Sequence, residues 1–514
     1  ERDKQLAQPS TRRFLREMER RRLTPNGWKS IFSLMRDGQS LAEQLRAVAN
    51  LPDEAAQKSA IRACIDPYIQ IVDPKEKDRF TGLRLMDIWR YFRYTWSTAY
   101  NNTPGRKIFV LIRDRAAADH PIIGIAALGS AIVQMSERDR WIGWQSDTFL
   151  ESLRANPTAE WACWLHRSLD ELIAGVYRDD LLADELVTQE EIDSPTQEAI
   201  NRLRTAAKEA RRVHRLYAHV GKHKASSPPA GEVNNAHWRH QAKTYLFRSK
   251  RAATLADLLE ARRRLVSAGF DAPTREALAR ILERPQGRRA VQTVLRHVRA
   301  AHVGVDMLDI TVCGAVAPYN AILGGKLVSL LMASPEIVAE YTRRYRGACS
   351  VIASSMAGRA VRREPRLVLL CTTSLYGVAS SQYNRLRIPA DAIGATAPVR
   401  FERLGRTAGF GSYHFSRETM SELEVVVAQG RRGREVNSIF GEGVNPKLRK
   451  VRSALDAVGL PSDALLQHGS PRIIYGLPLA SNFREVLLGI AKRPQYLIPQ
   501  TPPERGTRAV VDFW

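Results

Sequence analysis

The chain has 514 residues, enough for about two or three domains, and its hydrophobic content of 44% is typical of globular proteins. Lys and Arg number 78 against 54 Asp and Glu, which gives a formal net charge of +24. No run of about 18 apolar residues occurs, and the first residues lack an apolar signal region, so we expect neither a membrane span nor a secretory leader.

The charge excess is mostly arginine, and its guanidinium group binds phosphate through two parallel hydrogen bonds. The basic residues also fall in patches along the chain, which favours a nucleic-acid partner, DNA rather than RNA. The alternative is a solvated basic surface that serves solubility alone.

Five cysteines are widely spaced, at Cys64, Cys163, Cys313, Cys349 and Cys371. At least four of them have apolar neighbours in sequence, which indicates buried thiols in a reducing compartment, so we expect a cytoplasmic protein. No CxxC pair is present, and no metal site or cofactor is predicted, although a nuclease would need Mg²⁺.

Residues 1–82 form the first predicted region, which reads as helical. Phe14, Leu15 and Met18 are near helical spacing and are surrounded by arginines, and Pro25 and Gly27 end this helix. Further helices are predicted near 28–35 and 41–48. The basic helix is interpreted either as a contact to the DNA backbone or as a solvated face.

Residues 83–146 form the first part of a central α/β domain. An aromatic core helix is predicted at 83–100, followed by a β-hairpin with strands at 108–112 and 121–132. Asp139 then lies between two arginines and could act as a general base or metal ligand. The favoured interpretation is that Arg138 or Arg140 holds Asp139 while nearby tryptophans pack.

Residues 147–304 read as a mainly helical basic insertion. Within 204–251, twelve Lys and Arg stand against two Asp and Glu, and aromatic residues are interleaved. Such a segment suits a surface that follows a nucleic-acid backbone. The residues predicted to neutralise phosphates are Arg211, Arg212, Lys222, Lys224, Lys243, Arg248, Lys250 and Arg251.

Residues 305–428 form the second part of the central domain. A buried strand at 308–316 leads into a turn, and a helix is expected to start at Leu327, so backbone N–H groups there could cradle an anion. A second strand at 366–372 leads into a polar loop, the place where open α/β sheets bind ligands. The predicted phosphate or ligand site comprises Asn320, Gly324, Gly325, Lys326, Asn384 and Arg385, with Tyr383 as a candidate nucleophile.

A further strand is predicted at 399–404. Residues 429–514 form a basic C-terminal region with a helix at 445–459, a short strand at 468–475 and an irregular tail after residue 493. The fold class is therefore α/β (α+β): a mixed central sheet from about 105–145 and 305–415, a large helical basic insertion, and helical terminal regions.

Several long motifs of this chain resemble the DruA-like family. They are LMDIWRYFRYTW (85–96), PGR (104–106), HPIIGIAALGS (120–130), RDRWIGW (138–144), CGAVAPYNAILGGKLVSL (313–330), TTSLYGVASSQYNRLR (372–387) and NSIFGEGVNPKLRK (437–450). The resemblance spans residues 83–489 and implies a role in Druantia-type bacterial antiphage defence, beside other defence-system proteins. Relatives also occur beside transposase-like genes, and the family supplies no established catalytic mechanism.

The order of elements also resembles GNAT-like acyltransferase folds, in which the turn at 320–326 would bind a pyrophosphate. The family pattern carries Arg or Gln and separated glycines there, whereas this chain has Asn320 and adjacent glycines. The leading hypothesis is a nucleic-acid-binding defence component with a phosphate or nucleotide pocket. The alternatives are a nuclease or transposase-related strand transferase using Asp139 or Tyr383, a GNAT-like acyltransferase, and a structural adaptor, so the sequence does not decide whether the chain is an enzyme.

Overall fold

A computed structural model of the chain describes residues 2–97, 105–217, 234–374, 381–412, 414–430 and 446–514. Lys222 and Lys224, which were predicted to contact phosphate, lie outside these ranges. In the part of the chain that the structure describes, no helix has the length and apolarity needed to cross a bilayer.

The first third of the sequence builds a small helical region and one half of the sheet. Its elements are α1 (Arg2–Ala7), α2 (Pro9–Glu19), β1 (Arg22–Thr24), β2 (Gly27–Lys29), a 3-10 helix (Ile31–Leu34), α3 (Gly38–Ala49), α4 (Glu54–Cys64), β3 (Pro67–Ile71), α5 (Leu85–Tyr94), β4 (Lys107–Asp114), β5 (Ile122–Ser130) and α6 (Ser136–Ile142).

In the middle of the chain all the regular elements of the described residues are helices. Its elements are α7 (Ser146–Ala155), α8 (Ala159–Ala174), α9 (Asp179–Ala183), α10 (Gln189–Asp193), α11 (Gln197–Tyr217), α12 (Asn235–Lys243), α13 (Tyr245–Ser267), α14 (Arg275–Glu283) and α15 (Pro285–His302).

The remainder returns to the sheet. Its elements are β6 (Met307–Ala315), α16 (Tyr319–Ile322), α17 (Lys326–Leu331), α18 (Pro335–Tyr345), α19 (Val351–Ala357), β7 (Leu369–Thr373), α20 (Ser381–Asn384), β8 (Arg387–Ile388), a 3-10 helix (Asp391–Ile393), β9 (Val399–Arg400), β10 (Glu402–Arg406), α21 (Arg417–Gly430), α22 (Pro446–Ala457), α23 (Ser462–Leu465), β11 (Ile473–Pro478), α24 (Phe483–Leu487) and α25 (Pro503–Phe513).

The central sheet has seven strands in the order β10-β11-β7-β6-β5-β4-β3. Neighbours are antiparallel except β6 and β7, which are parallel. The predicted mixed α/β sheet is therefore confirmed, and so is the hairpin, which is formed by β4 and β5. The sheet also recruits β3 and β11, which lie outside the ranges from which the sequence predicted it.

Both faces of the sheet are buried, and the side chains of β4 show how. Ile108, Val110 and Ile112 point to one face and join the core beneath α17, α18 and α25. Leu111 points to the other face and joins a core with α2 and α5. This alternation follows from the two-residue period of a strand. It fixes the register, because a shift by one residue would exchange the faces.

The helical middle packs around α13, whose Leu255, Leu258 and Leu259 are fully buried. The same hydrophobic core includes Leu369 and Cys371 of β7, so these helices share a core with one face of the sheet. The apolar periodicity that predicted a helical segment here was therefore correct about its structure.

Several local predictions were wrong. Residues 22–29 form the β1–β2 hairpin, and the segment 28–35 is a strand and a 3-10 turn, because Gly27 adopts a positive φ of 91° that lets the chain reverse. The tail after residue 493 contains the eleven-residue helix α25, which buries Val510. Residues 399–404 are divided between two sheets, since β9 pairs with β8 and β10 with β11. Only Cys64 and Cys371 are buried, although at least four buried cysteines were expected; Cys313 and Cys349 are partly buried, and Cys163 is exposed.

Candidate functional site

The end of the sheet where β6 and β7 separate is the first candidate site. The two strands pair over only three positions, from Met307 with Leu369 to Asp309 with Cys371. Beyond them β6 continues beside β5 as far as Ala315. Backbone pairing between the two parallel strands therefore stops at Asp309 and Cys371, although Thr372 Oγ1 still donates to the Ile310 carbonyl oxygen at 3.0 Å. We call the stretch of β6 beyond this point, as far as Ala315, together with the space beside it the gap between the strands.

The side chain of Gln382 lies in this gap. Its Nε2 donates to the carbonyl oxygen of Cys313 at 3.1 Å and to Ser329 Oγ at 2.9 Å. A Cβ atom added at Gly325 would come within 2.6 Å of the Gln382 amide, so a larger residue at 325 would displace this amide from its position. Burial raises the pKa of the Cys313 thiol to about 12, which keeps it protonated and unreactive.

The glycine turn predicted to cradle an anion precedes α17, a helix of only six residues. Gly325 lies beneath Gln382, and Lys326 is half-buried. Asn320 is exposed on α16, and Gly324 adopts a positive φ of 56°. The structure therefore brings Gly325, but not the whole predicted set, to the gap between the strands.

Tyr383 lies deep in the sheet core, with 7% of its surface exposed. Its ring packs against Phe401 and Tyr475, each with a centroid distance of 5.1 Å. Burial raises the pKa of the Tyr383 hydroxyl, so the phenolate needed for nucleophilic attack is disfavoured. Asn384 accepts a 2.6 Å hydrogen bond from the Tyr475 hydroxyl, and Arg385 is exposed.

A buried polar cluster fixes the loop that connects β6 to α17. Asp114, at the end of β4, is fully buried and accepts hydrogen bonds from Tyr319 Oη at 2.6 Å and Arg36 Nη1 at 2.5 Å. Burial, together with the neighbouring Asp114 carboxylate, raises the pKa of Tyr319, so this hydroxyl remains a donor. The cluster therefore ties the N-terminal region, the β4–β5 hairpin and α16 to one another.

Asp139, the other catalytic candidate, is 4% exposed on α6. Its Oδ1 accepts from Arg138 Nε at 2.9 Å and Nη2 at 2.6 Å, and Arg299 Nη1 lies 3.5 Å from Oδ2. Trp144 is buried nearby and donates to the Leu487 carbonyl oxygen at 3.1 Å. Asp139 is thus held by arginine, the arrangement that the sequence favoured over a catalytic one.

A second buried carboxylate, that of Asp309, has a pKa that differs from its ordinary value. Its Oδ2 accepts from the Ile132 backbone N–H at 2.9 Å, whereas its Oδ1 is buried without a hydrogen-bond partner among the described residues. Burial raises the pKa of this carboxyl to about 6. In the described ranges no three His, Cys, Asp or Glu side chains gather as a metal site would require.

The basic insertion places its predicted phosphate ligands very differently from one another. Arg251 is fully buried, and its guanidinium binds Asp180 at 2.7 and 2.8 Å. Arg248 pairs with the same Asp180 at 3.2 Å, and Lys250 lies over the Phe247 ring. These three side chains contact other residues of the protein, so their charges do not form a free cationic surface for phosphate.

Exposed cations of the insertion include four on α11 and α12. Arg211 and Lys243 are exposed, as are Lys208 and Arg239, which the sequence had not singled out. No ion pair involves these four residues within the described part of the chain, whereas Arg212 pairs with Glu209 at 2.7 Å. Among the described side chains of these two helices, the exposed cations without an ion pair are therefore two of the predicted residues, Arg211 and Lys243, and two others, Lys208 and Arg239.

The β1–β2 hairpin was missed altogether. Its cross-strand partners Leu23 and Trp28 are 71% and 66% exposed. The sequence did contain a signal, because Pro25, Asn26 and Gly27 stand between two short segments, as in a hairpin turn.

Comparison with known proteins distinguishes the sheet region from the helical middle of the chain. The family model described as "Druantia protein DruA" matches residues 36–156 and 293–489, and most of the helical middle falls in the gap between them. The Druantia protein DruA of Escherichia coli (strain UMEA 4076-1) is 31% identical over 191 residues, which is 37% of this chain and 43% of that relative. No solved structure matches the chain.

The chain therefore spans less than half the length of this curated relative in the match. The family model, by contrast, covers more than half of the chain and includes the sheet strands β4 to β7 and the strand β11. On this match, the chain belongs to the Druantia protein DruA family.

Proposed function

We propose that this protein is a nucleic-acid-binding component of a Druantia-type antiphage defence system, acting in the cytoplasm beside other proteins of that system. Family membership supports the defence role. The net charge of +24 and its arginine-rich composition support nucleic acid, with DNA as the favoured form.

One observation carries the nucleic-acid part of this proposal. On α11 and α12, Lys208, Arg211, Arg239 and Lys243 are exposed and have no ion pair among the described residues. A cation already paired with a carboxylate gains little from a phosphate, whereas an unpaired exposed cation can release counterions from the nucleic acid. These four side chains are therefore the proposed backbone-contacting surface of the insertion.

The test is a titration of the purified protein against fluorescent double- and single-stranded DNA and RNA across a range of salt concentrations. We expect tight binding that weakens steeply with salt, and a flatter dependence in the Arg211→Gln, Lys243→Gln double variant, by about two in log–log slope. Binding that ignores salt, or no binding at low salt, would refute the proposal.

A matched control is the double variant Arg248→Gln, Lys250→Gln, which removes the same charge from residues that are half-buried and engaged with Asp180 and Phe247. If this control weakened binding as much as the exposed pair, total charge rather than the exposed surface would govern affinity.

A second candidate function is favoured by the opening between β6 and β7. On the GNAT-like resemblance the turn at 320–326 would bind a pyrophosphate, and this turn follows β6, whose backbone pairing with β7 ends at Asp309 and Cys371. Gln382 lies in that opening. Saturable binding of acyl-CoA, strengthened in Gln382→Ala and removed by a bulky residue at Gly325, would support acyl transfer; no binding to either form would exclude it.

A nuclease or strand transferase built on Asp139 or Tyr383 is not proposed. Both side chains are almost fully buried, one bound by arginines and the other within an aromatic cluster. Catalysis by either residue would require exposure of a group that the fold encloses.

A further inference from the structure

The β1–β2 hairpin and the end of α2 form a distinct basic surface. Seven Lys or Arg and two Glu fall within residues 9–29. This segment lies outside the part of the chain that the family model matches. We name Arg13, Arg16, Arg20, Arg21, Leu23, Trp28 and Arg79 the hairpin surface.

The segments on either side of the hairpin are anchored in the hydrophobic core. Met18 of α2 and Ile31 and Leu34 of the following 3-10 helix are buried in the core that α5 forms against the sheet. At the tip, Thr24 Oγ1 accepts from the Asn26 backbone N–H at 3.1 Å and donates to the Gly27 carbonyl at 2.9 Å. The hairpin therefore has a fixed place and a fixed turn.

The two faces of the hairpin differ. Arg22 and Lys29 are cross-strand partners, and each is paired with a carboxylate of the protein, Arg22 with Glu17 at 3.6 Å and Lys29 with Asp119 at 2.5 Å. Because side chains alternate along a strand, the neighbouring partners Leu23 and Trp28 share the opposite face. That face carries an apolar pair that is 71% and 66% exposed.

Unpaired arginines lie at both ends of this apolar pair. Arg20 and Arg21 precede the hairpin at its base and are exposed. The backbone of Arg79 lies at its tip, where Asn26 Nδ2 donates to the Arg79 carbonyl oxygen at 3.4 Å, and the exposed Arg79 guanidinium lies over the Phe80 ring, 4.6 Å from its centroid. In the segment 2–97 that the structure describes, none of these three guanidinium groups forms an ion pair with a carboxylate.

We propose that the hairpin surface docks into a groove of duplex DNA. Leu23 and Trp28 then lie against the bases, and the arginines contact the phosphate backbones of the two DNA strands. A two-stranded ribbon fits a DNA groove, and groove-binding proteins combine arginines with apolar side chains that press on base steps. The preference for arginine over lysine suits phosphate, which guanidinium binds in a bidentate manner. This inference rests on the proposed nucleic-acid-binding function and names a second contact for it.

The experiment measures binding of a short fluorescent DNA duplex by anisotropy across salt concentrations, with wild type, Trp28→Ala and the double variant Arg20→Gln, Arg21→Gln. We expect Trp28→Ala to weaken binding at least about fivefold with an unchanged salt slope. The arginine variant should weaken it about tenfold and lower the log–log slope by about two.

The matched control is Arg275→Gln, Arg289→Gln, which removes the same charge from exposed arginines of α14 and α15. A duplex carrying 2-aminopurine should brighten with wild type and not with Trp28→Ala, since pressing on a base step unstacks it. Circular dichroism melting should be the same for all variants, because the altered side chains are exposed.

The outcomes separate this inference from the function on which it rests. If wild type binds DNA and both hairpin variants bind equally well, the hairpin surface is refuted and the nucleic-acid-binding function stands. If wild type binds no nucleic acid at low salt, both fail. Equal losses on single strands, or binding of the hairpin surface to anionic vesicles instead of duplex, would refute the duplex groove as its partner.

Discussion

The sheet region and the helical middle of this protein use arginine in different ways. In the sheet region Arg113 and Arg138 are 1% and 0% exposed, and each is paired with a buried or nearly buried aspartate. In the helical middle Arg211 and Lys243 are exposed without such partners in the described ranges, whereas the buried Arg251 is paired with Asp180 and the partly buried Arg262 with Asp170.

This difference shows that net charge does not by itself locate a binding surface. Arg113 donates to Asp78 at 2.5 Å, to Gln70 at 2.8 Å and to the His120 carbonyl at 2.8 Å, so it joins β3 to the β4–β5 turn. A buried ion pair of this kind gives up water for fixed partners and contributes nothing to binding of an external phosphate.

The largest expected effect tests whether the contribution of an arginine to the free energy of unfolding depends on its burial or on the region in which it lies. We expect Arg113→Ala to lower the free energy of unfolding by about 3–5 kcal/mol, because Asp78 is left as a buried charge without its partner. Arg251→Ala should cost a similar amount through Asp180. Urea unfolding monitored by circular dichroism measures both.

The comparison would break if Arg251→Ala were nearly neutral while Arg113→Ala was severe. In that case the helical middle would tolerate a buried Asp180 that keeps only Arg248 as its partner, through local opening, and the two regions would differ in rigidity as well as in charge placement. Faster amide hydrogen exchange in the Arg251→Ala variant, confined to α9, α12 and α13, would identify such opening.

The next effect concerns pH and the sheet region alone. Because burial raises the Asp309 pKa from 3.8 to about 6, the folded state favours the protonated acid. This contribution to stability is fully present below pH 3.8 and is lost as pH rises through 6. The loss amounts to at most about 3 kcal/mol. Relative to wild type, Asp309→Asn should therefore gain stability between pH 4 and 7.

Asp463→Asn is the matched control, since the side chain of Asp463 is 86% exposed. Parallel stability curves for wild type and Asp309→Asn over this pH range would mean that the carboxyl is hydrated and titrates normally.

A smaller effect is expected at the gap between β6 and β7. Gln382→Ala removes donors to the Cys313 carbonyl and to Ser329, and should cost about 1–2 kcal/mol of unfolding free energy. It should also speed alkylation of Cys313 by iodoacetamide several-fold, as read by peptide mass spectrometry. Cys371, which is 1% exposed on β7, is the internal control. Unchanged alkylation of Cys313 would show that Gln382 does not cover it.

The smallest effect on stability is expected at the exposed cations of the helical middle. Arg211→Gln should leave the melting temperature unchanged while it flattens the salt dependence of DNA binding by about one in log–log slope. A clear loss of stability would show that Arg211 serves the fold, as Arg251 does, and would remove the contrast between the two regions.

The sequence predicted the sheet and the helices whose periodicity is strong. The β4–β5 hairpin and α22 were found at nearly their observed bounds, because alternation and a proline at the first helical position are local signals. The strands β3 and β11 were harder, since their place in the sheet depends on partners far along the chain. The helix α25 was missed because the prolines before it suggested an irregular tail.

The candidate site was less predictable than the fold. That Asp139 would be held by arginine followed from its neighbours in sequence, and the structure supplies Arg138 as that partner. Gln382 could not be singled out, because its role depends on a gap between strands separated by more than fifty residues. The burial of Arg251 was equally invisible, since Asp180 lies far away in sequence.

The strand order also bears on how the chain is made. β11 lies between β7 and β10, although it is synthesised after both. About 100 residues separate the end of β7 from the start of β11, so on a ribosome adding about 5–20 residues per second the free edge of β7 waits about 5–20 s for its neighbour. During that interval the nascent chain exposes a strand edge open to wrong pairing, and a chaperone that shields it would raise the yield of folded protein.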